Sequence, residues 1–270
     1  MRRFVHLAGL AVIVIMMALV SCAAADEVPA WEYPIKPEIL ANNTGYITLA
    51  CRDTLLPSDY EPNDLVKLSV RSVVSGDELR KEAAAALNDM FAAAEKDGYK
   101  LYVKSAYRSY RTQNTMYYNR LERIGYDDQL VAYPGSSDHQ TGLGVDVLNY
   151  AWTQKDGMNE KFAQEKEAQW MAKHAHEYGF VIRYLADKED ITKIKYEPWH
   201  LRYVGMEVAA YMHENNLCLE EFTWEWQDYV ADYEKQGVTF EQLLRLRSMP
   251  HDIIVVDVNE NGEEDYSMFY

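Results

Sequence analysis

The sequence predicts an α+β fold, and three observations carry that expectation. Stretches with helical hydrophobic periodicity alternate with short strand-like runs, without the regular strand–helix–strand rhythm of a parallel sheet. Glycines stand where helices should stop, at Gly98, Gly125 and Gly179. The 270 residues are 48% hydrophobic and 26% charged, so there is ample apolar material for a core at an ordinary charge content.

The elements follow in order. Arg2 and Arg3 precede an apolar run from Phe4 to Val20, broken only by His6 and Gly9. The run is short for a membrane-spanning helix and ends in small residues, so residues 1–22 read as an export signal. Leu19-Val20-Ser21-Cys22 resembles a bacterial lipobox, in which cleavage leaves Cys22 as a lipidated N-terminus. Ordinary signal-peptidase cleavage within Ala23–Ala25 is the competing reading. Residues 23–44 carry Pro29, Pro34, Pro37 and Asn42-Asn43, and read as a linker with little regular structure.

A short extended segment is expected near Ile47, then a loop from Leu56 to Pro62. Leu79, Ala83, Leu87, Met90 and Ala94 recur at helical spacing, predicting a helix over Asp77–Asp97 capped by Asp77. Leu101–Ala106 reads as a strand. Ser109 is placed to cap a helix running to Ile124, closed by Gly125. Tyr133–Gly142 is loop and Gly144–Asn149 a short strand. Phe162–Tyr178 reads as helix, Phe180–Tyr184 as strand, Lys195–Tyr203 as extended chain interrupted by Pro198, and Met206–Asn216 as helix. Residues 220–270 differ in texture. Phe222, Trp226, Tyr229 and Tyr233 share a helical face, and Thr239 with Gln242 resembles a capping box. Ile253–Val258 and Glu263–Phe269 flank Asn261-Gly262, a strong hairpin signal.

The net charge of −16 excludes a nucleic-acid partner, which demands clustered Lys and Arg. An acidic surface otherwise serves solubility. Beyond Cys22, Cys51 and Cys218 could pair in an oxidising compartment, and neither lies in a CxxC motif.

Chemistry concentrates in two segments, Ser137-Asp138-His139-Gln140-Thr141-Gly142-Leu143-Gly144-Val145-Asp146 and Tyr196-Glu197-Pro198-Trp199-His200. Two imidazoles and a carboxylate, His139, Asp146 and His200, form a three-ligand zinc set that leaves a position open for water. Gly142 and Gly144 would let backbone approach the metal. Glu197 stands close enough to His200 to act as a general base without ligating. Pro198 biases Glu197 to extended backbone, separating its direction from that of His200. Trp199 shields the site or fills core. Asp138 reads as loop solvation. His174 and His176 lie two apart on a helix and do not face each other, so they read as non-ligands, as do His213 and His251.

These segments resemble the zinc D-alanyl-D-alanine carboxypeptidases, including the accessory enzymes of vancomycin resistance. That family's pattern, S-x-H-x-x-G-x-x-x-D followed by E-x-W-H, stands here as Ser137, His139, Gly142, Asp146, then Glu197, Trp199 and His200. Ser105-Ala106-Tyr107-Arg108-Ser109-Tyr110-Arg111-Thr112-Gln113 is similar to a third family block, S-x-Y-R-S-x-x-x-Q. The likeness spans about residues 45–220. It implies a zinc DD-peptidase-like fold, a small antiparallel sheet with flanking helices, over residues 45–219. It implies Zn2+ on His139, Asp146 and His200, and Glu197 and Arg108 as catalytic residues. Arg108 would pair with the substrate carboxylate or the developing oxyanion, and Gln113, Ser137 and Tyr184 would contact substrate.

The implied activity is removal of the terminal D-alanine from peptidoglycan stem peptides in the bacterial cell envelope, by a lipoprotein anchored to the membrane through Cys22. L,D-carboxypeptidase action on tetrapeptide stems is an alternative within the same chemistry. Free D-Ala-D-Ala is disfavoured by export. A non-catalytic cell-wall-binding lipoprotein is the alternative of another class.

Overall fold

The computed structural model describes residues 28–41 and 45–248, with two strands at 256–258 and 264–266. The export signal, Cys22 and the Asn261-Gly262 turn lie outside the described residues. Among the described residues the first element is a one-turn helix α1 (Pro37–Leu40), followed by strands β1 (Leu65–Lys67) and β2 (Glu78–Arg80), which pair antiparallel. Helix α2 (Lys81–Lys96) follows directly and buries Ala83, Leu87, Met90 and Ala94, the residues spaced for one face. It starts four residues later than the predicted Asp77. Residues 78–80 join a strand pair instead, and Asp77 accepts from the Ser72 hydroxyl rather than capping. A cross-chain ladder overrides the local cap signal there.

Strand β3 (Leu101–Ser105) leads to helix α3 (Tyr110–Ile124). Its first turn is capped by Ser109, whose hydroxyl accepts from the Thr112 amide, and Gly125 ends it at φ +82°. Next come β4 (Gly144–Asn149), the short α4 (Tyr150–Thr153), α5 (Lys166–His174) and β5 (Phe180–Ile182). The predicted 162–178 helix is thus a regular α5 flanked by two 3₁₀ turns, Glu160–Gln164 and Ala175–Tyr178. Then follow α6 (Glu189–Thr192), β6 (His200–Tyr203), α7 (Met206–Glu214), α8 (Leu219–Glu234) and α9 (Phe240–Ser248). Thr239 and Gln242 bond reciprocally at the start of α9, as a capping box does. Strands β7 (Val256–Val258) and β8 (Glu264–Tyr266) pair antiparallel.

The central sheet has the order β3-β4-β6-β5, every pair antiparallel. Apolar residues of the sheet, α2 and α5 form one core around Leu87, Met90, Val147, Phe180 and Leu201. A second core joins α7 and α8 to Tyr33, Ile35 and Leu40 of the N-terminal stretch. That stretch, read from its prolines as a tether, is packed. Trp31 lies edge-on to Tyr229 at 4.9 Å and to Tyr233 at 5.4 Å, and the Tyr233 hydroxyl donates to the Pro29 carbonyl. Large aromatic areas outweigh the local proline signal. Cys51 and Cys218 are both free thiols.

Candidate metal centre

Sheet register builds the site. Asp146 on β4 lies directly opposite His200 on β6, and Ser105 on β3 lies opposite Asp146. Directly opposed residues project to the same face. This row depends on an irregularity in β3, where register shifts between Val103 and Ser105 and leaves Lys104 as the extra residue. Without that bulge Lys104, not Ser105, would stand opposite Asp146. Ser105 instead accepts a hydrogen bond from Arg108 Nη2 at 2.8 Å, while Arg108 Nη1 donates to Gln113 Oε1 at 2.9 Å. Gln113 is held in turn by the Ala132 carbonyl.

His139 arrives on a buried 3₁₀ turn (Asp138–Thr141) rather than a simple loop, ended by Gly142 at φ +68°. The two glycines flanking Leu143 pack the turn against its neighbours. A Cβ on Gly142 would come within 3.0 Å of Leu65 and Arg80 side chains, and one on Gly144 within 3.0 Å of the Asp138 and His139 backbone. Both positions leave no room for a side chain, so the turn that carries His139 packs closely on its neighbours.

Glu197 is placed by a turn. The His200 amide donates to the Glu197 carbonyl at 3.1 Å, closing a four-residue turn with Pro198 at its second position, a favoured site for proline. The sequence led us to expect Glu197 and His200 to diverge. The turn brings Glu197 Oε2 to 3.8 Å from His200 Nδ1 instead.

The donor atoms of His139, Asp146 and His200 all lie within 4.8 Å of one another, and all three side chains are buried. His139 Nε2 is 3.3 Å from Asp146 Oδ2, and His200 Nδ1 is 2.8 Å from Asp146 Oδ1. Ligand atoms around tetrahedral zinc stand about 3.3 Å apart, so the donor set suits that ion. His139 Nδ1 sits 2.7 Å from the Ala106 carbonyl, which requires the ring proton there and leaves the Nε2 lone pair facing a carboxylate. Such a contact needs a proton or a cation between the two atoms. Burial, reinforced by Arg108, holds the His139 pKa down and disfavours the proton. A divalent cation resolves the conflict, and the residues present fit one.

Electrostatics divides the acids. Burial would raise the Asp146 pKa, but His139 and His200 outweigh it and keep the carboxyl far below its ordinary range. Burial pushes Glu197 well above its ordinary range, with Asp146 adding and Arg108 opposing. Two carboxyls in one site therefore have opposed tendencies, one held ionised and the other pressed towards its neutral form. The Arg108 guanidinium, largely desolvated, faces both.

A cleft of about 320 Å³ opens on these groups. Ser137 and Tyr184 line it beside Arg108, Gln113 and Glu197. Trp199 both lines the cleft and joins the main core. Tyr184 packs its ring 5.1 Å from that of His200. His174 pairs with Glu177, and His176 stacks on His213, away from the cleft.

Asp138 departs most from its sequence reading. It is fully buried and bonded to Arg183 and Arg202, not solvating a loop. No local signal could have found this, because its partners lie 45 and 64 residues away. Ser105, a fixed position of the block that carries Arg108, and the Ala106 carbonyl beside it had no role assigned from the sequence.

A family model described as VanY, D-alanyl-D-alanine carboxypeptidase, matches residues 76–206. YodJ of Bacillus subtilis (strain 168) is 42% identical over 193 residues, covering 68% of this chain and 69% of that protein. Among solved structures, the LdcB LD-carboxypeptidase is 42% identical at a TM-score of 0.62, covering 67% of this chain and 87% of that one. A mutant of the vancomycin-resistance D,D-pentapeptidase VanY in complex with Zn(II) is 30% identical at a TM-score of 0.54, covering 66% and 98%.

Proposed function

Because the chain belongs to the VanY family of D-alanyl-D-alanine carboxypeptidases, we propose that it removes the terminal D-alanine from peptidoglycan stem peptides as a zinc-dependent carboxypeptidase. The supporting observation is the convergence of His139, Asp146 and His200 on one cleft, with Glu197 beside His200.

His139, Asp146 and His200 would hold zinc, which would supply a Lewis acid for the scissile carbonyl and acidify a water. Glu197 takes the proton from the attacking water. The carbonyl carbon becomes tetrahedral, and Glu197 returns the proton to the departing amine of D-alanine. Its raised pKa suits a group that must both accept and give at near-neutral pH. Arg108, braced by Ser105 and Gln113, meets the negative charge of the terminal carboxylate or the developing oxyanion. Ser137, Gln113 and Tyr184 orient the peptide along the cleft wall. Residues 45–219 form the catalytic unit and 220–270 an extension of it. The leader exports the chain, and lipidation of Cys22 anchors it to the membrane facing the wall.

A second reading, cleavage of the L,D bond of tetrapeptide stems, is favoured by the 42% identity to LdcB against 30% to the D,D-pentapeptidase. Both cuts release a C-terminal D-alanine over the same metal. Digestion of defined pentapeptide and tetrapeptide muropeptides, read by mass spectrometry, separates them. Loss of alanine from the pentapeptide alone supports the first reading, and loss from the tetrapeptide alone the second. Zinc binding without hydrolysis of either substrate would leave a wall-binding role.

A further inference from the structure

Behind the metal centre lies a second buried cluster of charge. Glu220 on α8 binds Arg183 through both oxygens, to Nη1 and Nη2 at 2.7 Å each. Arg183 Nε donates to Asp138 Oδ2 at 2.6 Å, and Asp138 Oδ1 accepts from Arg202 Nη1. Arg202 Nη2 donates to the carbonyls of Tyr46 and Thr48. No member of the quartet is more than 3% exposed.

Two features tie this quartet to the metal ligands. Asp138 is joined by a peptide bond to His139, and its backbone is pressed against Gly144 so closely that no Cβ fits. The Arg183 amide donates to the carbonyl of His200 at 3.0 Å. Arg183 therefore holds one ligand by its main chain and the residue before another by its side chain. Its charge balance requires Glu220. With it, two cations meet two anions; without it, Asp138 faces two buried guanidiniums alone. Glu220 lies beyond the residues matched by the family model, at the start of the C-terminal extension.

We propose that Glu220 is a positioning residue for the metal centre, acting through Arg183 and Asp138 on His139 and His200. This rests on the zinc reading of the site. The extension is then part of the catalytic architecture rather than an appendage, because it supplies the counter-charge that lets Arg183 stay bidentate and dry.

The test is Glu220→Gln in the full chain, with zinc affinity measured by chelator competition, folding by thermal melting, and kcat and KM separately. Removing a supporting partner behind a metal ligand typically weakens metal binding or activity about 10–100-fold. We expect a folded variant with about 10-fold weaker zinc binding and a loss of kcat, KM changing less than about twofold. Partial rescue by Glu220→Asp is expected. A folded Glu220→Gln that binds zinc and turns over like the parent overturns the inference. Should that variant not fold, Arg183→Met/Glu220→Met removes a cation and an anion together and carries the same test: weakened zinc binding supports the proposal and unchanged binding overturns it. A parent protein that binds no zinc would instead defeat the zinc reading itself.

Discussion

His139 and Asp138 are neighbours in sequence, yet they face two different kinds of buried electrostatic site. On the cleft side, His139, Asp146, His200 and Glu197 are crowded without full mutual satisfaction. A lone pair faces a carboxylate, burial presses a second carboxyl towards its neutral form, and His200 Nε2 is buried without a partner. On the other side, Asp138, Arg183, Arg202 and Glu220 pair cation to anion at hydrogen-bond distance, sealed from solvent. The contrast separates a site that suits an added ion and holds a carboxyl with a raised pKa from one whose charges are already matched. Imbalance on one face is tolerable because balance on the other fixes the turn between them.

The comparison can be tested most forcefully at Glu197. Glu197→Gln keeps the shape and removes the proton carrier, so turnover should fall by about 10³-fold or more. Zinc content should stay at the parental level, checked by elemental analysis beside a stem-peptide assay. His200→Ala should instead lose the metal. If Glu197→Gln retained turnover, the assignment of roles on the cleft side would be broken.

The opposite face predicts a stability effect. Asp138→Asn leaves Arg183 and Arg202 without their shared anion. Breaking a buried ion pair on one side costs about 3–5 kcal/mol. Denaturant unfolding of the metal-free protein should show that loss, which sets it apart from any effect of zinc release.

A third prediction concerns pH. In its proposed role as base Glu197 acts only when ionised, and its folded pKa is raised by burial, with Asp146 adding to the effect. Activity should therefore be lost as pH falls through that raised value. The acid limb of kcat/KM should lie above the ordinary glutamate pKa of about 4.3. An acid limb at or below the ordinary value would deny Glu197 its environment.

The smallest expected effect sharpens the contrast in stability terms. A carboxyl whose folded pKa is raised keeps its proton in the native state at pH values where the unfolded chain has released it. Its contribution is best below the ordinary glutamate range and worsens as pH rises through the raised value. Glu197→Gln should therefore stabilise the metal-free protein at neutral pH, where the buried carboxyl is held against its raised pKa. The gain should vanish in acid. Thermal melts of the two metal-free proteins at acidic and neutral pH test this, and a destabilised variant at neutral pH would contradict it.

Several local features were legible in the chain itself. Ser109 and Gly125 announce both ends of α3, Gly179 ends the helical stretch before β5, and Thr239 with Gln242 marks the start of α9. Each is a contact within a few residues, so the code for it is contiguous. The start of α2 was misread because β1 reaches residues 78–80 from outside the local window. The N-terminal stretch was misread because its prolines are local while its aromatic partners on α8 are about 200 residues away.

The site divides in the same way. By residue type and motif, the sequence alone determined which side chains could form a zinc peptidase centre: His139, Asp146, His200, Glu197 and Arg108. Only the tertiary structure decided how they meet. The Asp146–His200 register, the β3 bulge that puts Ser105 under Arg108, and the turn at Pro198 that swings Glu197 towards His200 are outcomes of pairing. The burial of Asp138 between two arginines, with Glu220 behind one of them, was invisible beforehand. Donor chemistry is a property of single residues and survives in any arrangement, whereas charge balance in a dry interior exists only once distant segments have closed around it.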